Sequence, residues 1–212
     1  MKKKITCFCE KSFEEEVPEE INLDNNSSYL DQILDGSFFN FSCPSCGKNL
    51  KPEFHLIVLW PSKNISFEVF TELERGEFYR TKKKASKPSS SQYPMETLIG
   101  YPEMSERIAV LKDGFEPIAI EAIKYFLHIK ADEQYPDDEL EISYFGFDEQ
   151  KTLEFHIQGI RQNEVAVMKI PSSLYQKTLE DINKNPKGEI FKALRVSNYL
   201  SVKNTMRPEV LL

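Results

Sequence analysis

The stretch Phe41-Ser42-Cys43-Pro44-Ser45-Cys46-Gly47, read with Ile5-Thr6-Cys7-Phe8-Cys9 near the start of the chain, decides how the first third folds. In the later motif two residues separate the cysteines, which lets both sulfurs reach one ion at about 2.3 Å. Gly47 accepts the left-handed turn that aims backbone N–H groups at sulfur. The Cys7-x-Cys9 pair is tighter. Alternate side chains on a strand face the same way, so these two must converge at a strand end. With Cys43 and Cys46 they make four cysteines in 212 residues, the number of ligands a closed tetrahedral site needs.

Such a site leaves no open coordination position, so the metal reads as structural and not as a reagent. Zinc is the expected occupant; iron accepts the same four thiolates. For a small sheet with few core residues, metal binding would contribute folding free energy directly, on the order of 10 kcal/mol. Unligated buried thiols are the bland alternative. A redox-sensing zinc–thiolate switch is another, because thiolate clusters are oxidised when oxidants reach them. The order Cys-x-Cys, thirty-three residues, Cys-x-x-Cys resembles the redox-sensing zinc centre of a heat-shock chaperone, where the centre lies at the C-terminal end instead.

Working outward, residues 3–20 predict a hairpin, one strand around Lys3–Cys7 and a second around Phe13–Val17 that stops at Pro18. Asn26, Ser27 or Ser28 can cap a short helix through Leu34, ended at Gly36. Three strands follow in expectation, Ser37–Ser42, Glu53–Trp60 and Ile65–Thr71. The middle one is apolar on both faces and belongs inside the sheet. Residues 75–94 turn polar, with Lys82, Lys83, Lys84, Lys87 and Ser89–Ser91 lacking apolar periodicity; this reads as a solvated linker before it reads as a nucleic-acid arm.

Beyond it a helix is expected over Met104–Lys112, stopped at Asp113-Gly114, and another from Pro117 to about Lys130. Along the second, Glu121, Lys124 and His128 form a narrow polar stripe, so most of its surface should be buried. Strands Leu140–Phe147, Thr152–Gln158 and Glu164–Ile170 alternate as a half-solvated sheet requires. Ser172 or Ser173 caps an amphipathic helix ending near Pro186, and Ile190–Val202 is ambiguous between helix and strand. The fold class is α+β. A zinc-ribbon-like antiparallel sheet with a short helix spans residues 1–74, a basic Ser/Lys/Pro-rich linker 75–102, and a helix-plus-antiparallel-sheet unit 103–212.

The cysteine motifs, the acidic Phe13–Val17 strand and the apolar strand to Trp60 resemble the uncharacterised bacterial CpXC-domain family. Members usually carry proline inside both motifs; here Phe8 stands in the first while Pro44 keeps the second. The segment Arg107–Gly114 and the apolar helix after it look like the continuation in longer members. The resemblance covers about residues 1–130, implies a metal-binding module and supplies no activity.

The charge of −7 argues against broad nucleic-acid binding, which needs a net basic face. It divides as −5 over residues 1–80, +4 over 81–94 and −6 over 95–212. No apolar run approaches a membrane span, and Ile5–Cys9 is too short for a secretory h-region, so a cytoplasmic protein with reduced thiols is expected. Among the three histidines His55 follows Cys46 closely enough to lie near the metal, although a packed histidine is the simpler reading. Glu121, Lys124 and His128 are the one constellation able to combine acid, base and electrostatic roles; an ordinary i, i+3 ion pair is the plainer account. No nucleophile elbow, phosphate loop or H-E-x-x-H pattern occurs. The sequence thus points to a non-catalytic zinc-binding adaptor that recognises a protein partner or a second copy of itself.

Overall fold

A computed structural model describes residues 1–81, 92–136, 139–149 and 152–206. The expected basic run Lys82–Ser91 and the acidic pair Asp137-Asp138 lie outside the described residues. The chain divides into two compact units, Met1–Ser105 and Glu106–Leu212, and the division falls inside one helix.

In the first unit β1 (Lys2–Thr6) and β2 (Ser12–Glu16) form an antiparallel hairpin. Its register sets Lys2, Lys3 and Lys4 opposite Glu16, Glu15 and Glu14. The N-terminal lysines are therefore strand residues facing opposite charges, an arrangement that favours this register over its neighbours. After β3 (Glu20–Asn22), α1 (Ser27–Asp35) is capped by the Asn26 side chain, which accepts from the Ser28 N–H at 3.1 Å. A second small hairpin, β4 (Phe41–Ser42) with β5 (Asn49–Leu50), then carries the later cysteine pair.

The main sheet of this unit combines β3, β6 (Leu56–Trp60), β7 (Ile65–Phe70) and β8 (Met95–Ile99). β6 lies between β3 and β7, parallel to the first and antiparallel to the second, while β7 and β8 run parallel. The interior position expected for the strand ending at Trp60 is thus correct. Its expected start at Glu53 is not, because the Phe54 N–H and C=O are both engaged by the Tyr101 hydroxyl at 3.0 Å and take no part in the ladder. The strand expected from Ser37 begins only at Phe41: Phe39 has φ of 50° and its ring stacks on Phe38 at 4.0 Å.

Part of the span expected as linker is ordered structure. A capping box of Thr71 and Glu74 leads into α2 (Arg75–Thr81), which buries Phe78 and Tyr79. Arg75 anchors the helix start by pairing with Glu72 and with Glu103 at 2.8 Å. β8 follows within the same span. One turn of apolar residues and one five-residue strand are too short for periodicity to reveal beside a lysine-rich run.

In the second unit α3 (Tyr101–Lys112) continues past the division and α4 (Pro117–Gln134) begins with Pro117 in its first turn, as expected. β9 (Glu141–Phe147), β10 (Thr152–Gln158) and β11 (Val165–Pro171) make an antiparallel sheet with β10 central. Its inner face, Ile142, Tyr144, Leu153, Phe155, Ile157 and Ile170, packs on Ala119, Ile120, Ile123 and Leu127 of α4 and on Tyr175 of α5 (Ser172–Lys184). At roughly 1.5–3 kcal/mol for each large side chain buried, this cluster is the main stabilising element of the unit. The ambiguous tail resolves into α6 (Glu189–Ala193) and a hairpin of β12 (Arg195–Val196) with β13 (Tyr199–Leu200). Among the described residues no helix is long and apolar enough to cross a membrane.

Gly159, just past β10, has φ of +103°, and a Cβ there would collide with the carbonyl oxygen of Glu139. Gly159→Ala should therefore destabilise the protein by about 2 kcal/mol or more, read as a lower urea midpoint at unchanged slope.

Candidate metal centre

Each cysteine pair sits at the tip of its own hairpin. At the first tip the Cys7 N–H donates to the Lys11 carbonyl and the Glu10 N–H to the Cys7 carbonyl, both at 2.9 Å. At the second, the Cys43 N–H donates to Lys48 and the Gly47 N–H to Cys43, again at 2.9 Å. The residue after the second cysteine is left-handed in both, Glu10 with φ of 65° and Gly47 with φ of 71°. Gly47 was legible as a turn residue in the sequence. Glu10 was not, since a left-handed glutamate has no sequence signature, but its place after Cys9 matches that of Gly47 after Cys46.

Beneath the tips each hairpin offers one cross-strand apolar pair, Ile5 opposite Phe13 and Phe41 opposite Leu50. These pack with Cys7, Cys43 and Phe54 into a small core of their own. The two tips thereby face each other, and the sulfurs of Cys7, Cys9, Cys43 and Cys46 lie within 4.8 Å of one another. Cys7 and Cys46 approach to 3.6 Å and Cys9 and Cys43 to 3.8 Å, while Cys7 and Cys43 are buried and Cys9 and Cys46 exposed. A tetrahedron with metal–sulfur bonds of about 2.3 Å has edges of about 3.8 Å, so the four thiols fit such an ion with little adjustment.

Cys43 and Cys46 are shifted in opposite directions. Backbone N–H groups of Ser45 and Cys46 outweigh desolvation and bring Cys43 down to about 7. At Cys46 the Lys48 N–H favours the thiolate, but the thiol of Cys7, burial, and the thiols of Cys9 and Cys43 together push it up to about 12. Sulfurs already receiving N–H donors are the environment a bound cation requires of thiolate ligands.

His55 does not join the cluster's ligands. Its Nε2 lies 3.2 Å from the buried carboxylate of Glu68 and its ring stacks on Phe70 at 4.7 Å. The stripe on α4 is also used otherwise than expected for a surface ion pair: Glu121, Lys124 and His128 are all buried. Lys124 Nζ lies 2.9 Å from Glu106 and 3.3 Å from Glu121, and Arg107 3.6 Å from Glu121. The backbone N–H groups of Tyr144 and Val202 complete the two carboxylates, donating at 2.7 Å to Glu106 and Glu121 respectively. Burial pushes the Glu106 carboxyl up, and Lys124 opposes it. Groups so fully engaged tie α3, α4, β9 and the segment after β13 together.

Two facing hairpins with four converging thiols define a candidate metal-binding module. The chain belongs to the CpXC family: the model of the family described as CpXC protein matches residues 5–124. That match holds both cysteine pairs and runs into α4. The chain is also 28% identical over 214 residues to an uncharacterized protein of Treponema pallidum (strain Nichols), covering 94% of this chain and 96% of that one. No solved structure matches it significantly.

Removing the charge at the centre of the α4 network should be costly. Lys124→Met leaves Glu106 and Glu121 without their shared ammonium, with an expected loss of about 3–5 kcal/mol in denaturant unfolding. Acid should act through His128, which burial and the neighbouring Lys124 hold down to about 4 from 6.5, against the opposing pull of Asp132, Glu121 and Glu141. The unfolded chain then takes this proton first, so stability present above pH 6.5 is lost as pH falls toward 4. His128→Gln should flatten that part of the pH profile, by up to about 3 kcal/mol in equilibrium unfolding.

Proposed function

We propose that this protein is a non-catalytic, zinc-binding adaptor of the cytoplasm, in which a structural zinc ion clamps two hairpins and the second unit engages a protein partner or another copy of the chain. The observation that carries the reading is the four-sulfur cluster, within 4.8 Å throughout, assembled from two hairpin tips. Bound there, zinc would supply cross-linking and no chemistry, because four thiolates fill its tetrahedron. Cys7, Cys9, Cys43 and Cys46 would be its ligands, and a reducing compartment keeps such thiols available.

The interaction half rests on α4. Its polar stripe is turned inward while Phe126 and Ile129 stand 47% and 42% exposed, the reverse of what a solitary soluble helix prefers. The outer face of the β9–β11 sheet adds exposed Phe145, Val165 and Val167. The engagement of Glu121 and Lys124 in buried ion pairs weighs against a catalytic stripe, and the net charge of −7 against nucleic acid.

Two measurements test the two halves. Elemental analysis of the purified reduced protein should find one zinc per chain, with Cys43→Ser or Cys7→Ser losing both zinc and the thermal transition of the first unit. A metal-free, fully folded protein would overturn the metal reading. Light scattering and affinity capture should show a dimer or a defined partner that Phe126→Ser/Ile129→Ser abolishes without unfolding; a strict monomer that captures nothing would overturn the adaptor reading.

A further inference from the structure

We infer that hydrogen peroxide exchanges the ion at the four sulfurs for two disulfides, Cys7–Cys46 and Cys9–Cys43, which keep the two hairpins joined after the metal has gone. The inference rests on the zinc reading above and extends it to regulation of the same site. Its basis is how the four sulfurs are distributed. The contacts of 3.6 Å between Cys7 and Cys46 and 3.8 Å between Cys9 and Cys43 both cross from one hairpin to the other. Each also joins an exposed cysteine to a buried one. An oxidant arriving from solvent meets Cys9 or Cys46 first, and a resolving sulfur already lies in van der Waals contact behind it.

The chemistry balances in two equal steps. The exposed thiolate attacks one peroxide oxygen, the O–O bond breaks, and a sulfenic acid forms as hydroxide leaves and takes up a proton. The buried partner's thiolate then attacks that sulfur, forming the S–S bond and displacing a second hydroxide, which also leaves as water. Each disulfide consumes one peroxide and two protons, two sulfurs are oxidised by one electron each, and two waters form. After both steps all four ligands have lost their negative charge and the cation dissociates. Closing 3.6 and 3.8 Å contacts to a bond of about 2.05 Å needs less than 2 Å of movement in each pair.

Bridges within a hairpin would do the opposite. A Cys7–Cys9 bond closes a ring around one residue, and a Cys43–Cys46 bond, between thiols that also neighbour each other, links nothing across the hairpins; both would free the hairpins from each other. Across the hairpins, the covalent links take over the topology of the metal clamp, so loss of zinc does not mean loss of fold.

The test uses the full-length, reduced, zinc-loaded protein. It is treated with peroxide while a chromogenic chelator follows zinc, free thiols are counted, and non-reduced proteolytic peptides are mapped by mass spectrometry. The expected result is zinc release in step with loss of four thiols, peptides joined as Cys7–Cys46 and Cys9–Cys43, unchanged far-UV circular dichroism, and full reversal by reductant with zinc. Retention of zinc and thiols, over-oxidation to sulfinic acid, bridges within hairpins, or loss of the dichroism signal would each overturn it. If the reduced protein carries no zinc at the outset, the metal reading fails separately, and the peptide map still decides the connectivity.

Discussion

Four sulfurs brought to one point from two separate hairpins form the constraint on which the first unit depends. Neither hairpin could stand alone in water; β4 and β5 have two residues each, and the core beneath the tips consists of Ile5, Leu50, two cysteines and a few flanking phenylalanines. Backbone geometry at each tip repeats the same solution, with a bond closing the loop and a left-handed residue after the second cysteine. The repetition matters because the pairs differ in spacing. A Cys-x-Cys and a Cys-x-x-Cys reach equivalent positions only because the turns, and not the strands, hold the sulfurs.

The second unit is organised by a different constraint. Two carboxylates, a lysine and an arginine come together largely buried; their opposite charges pair, the Tyr144 and Val202 N–H groups donate to the carboxylates, and Arg107 donates to the Leu200 carbonyl at 2.8 Å. Such a network contributes less net stability than its short distances suggest, because desolvation offsets much of the attraction. Its effect is on uniqueness: a shift of α4 by one residue would leave buried charges unmatched, whereas an apolar interface would tolerate it. The chemistry that made Glu121 and Lys124 candidates for catalysis is the same chemistry that makes them good structural pins.

What could be read from the sequence followed the length and regularity of each signal. Cys43-Pro44-Ser45-Cys46-Gly47 announces a turn because each residue type is specific to it. Pro117 and the apolar residues after it announce α4, and alternation in Thr152–Gln158 announces β10. β3 and β8 escaped because a strand of three or five residues pairing in parallel has no alternation to display, its partners lying far away in sequence. The true start of β6 escaped because it is set by a hydroxyl from Tyr101, a contact no local pattern encodes. The direction of the α4 stripe escaped for a similar reason. Periodicity reveals that one face differs from the rest, and only Glu106 and Arg107 on another helix decide that the polar face turns inward.

The parallel pairing of β3 with β6 bears on how the unit assembles in time. Glu20 pairs beside Ile57, so everything between them, α1 and the second cysteine hairpin included, must be closed as one loop before a single ladder bond forms. Loop closure is paid in chain entropy ahead of any reward, which makes such pairings slow. The second hairpin lies within that loop and meets the first, which immediately precedes β3. Capture of one cation by both hairpins would tie the loop's two flanks early and convert a distant encounter into a near one. On that view the cysteines govern the speed of folding as much as the final stability, and a chain synthesised under metal starvation would linger with β3 unpaired and the edge of β6, already joined to β7, open to aggregation.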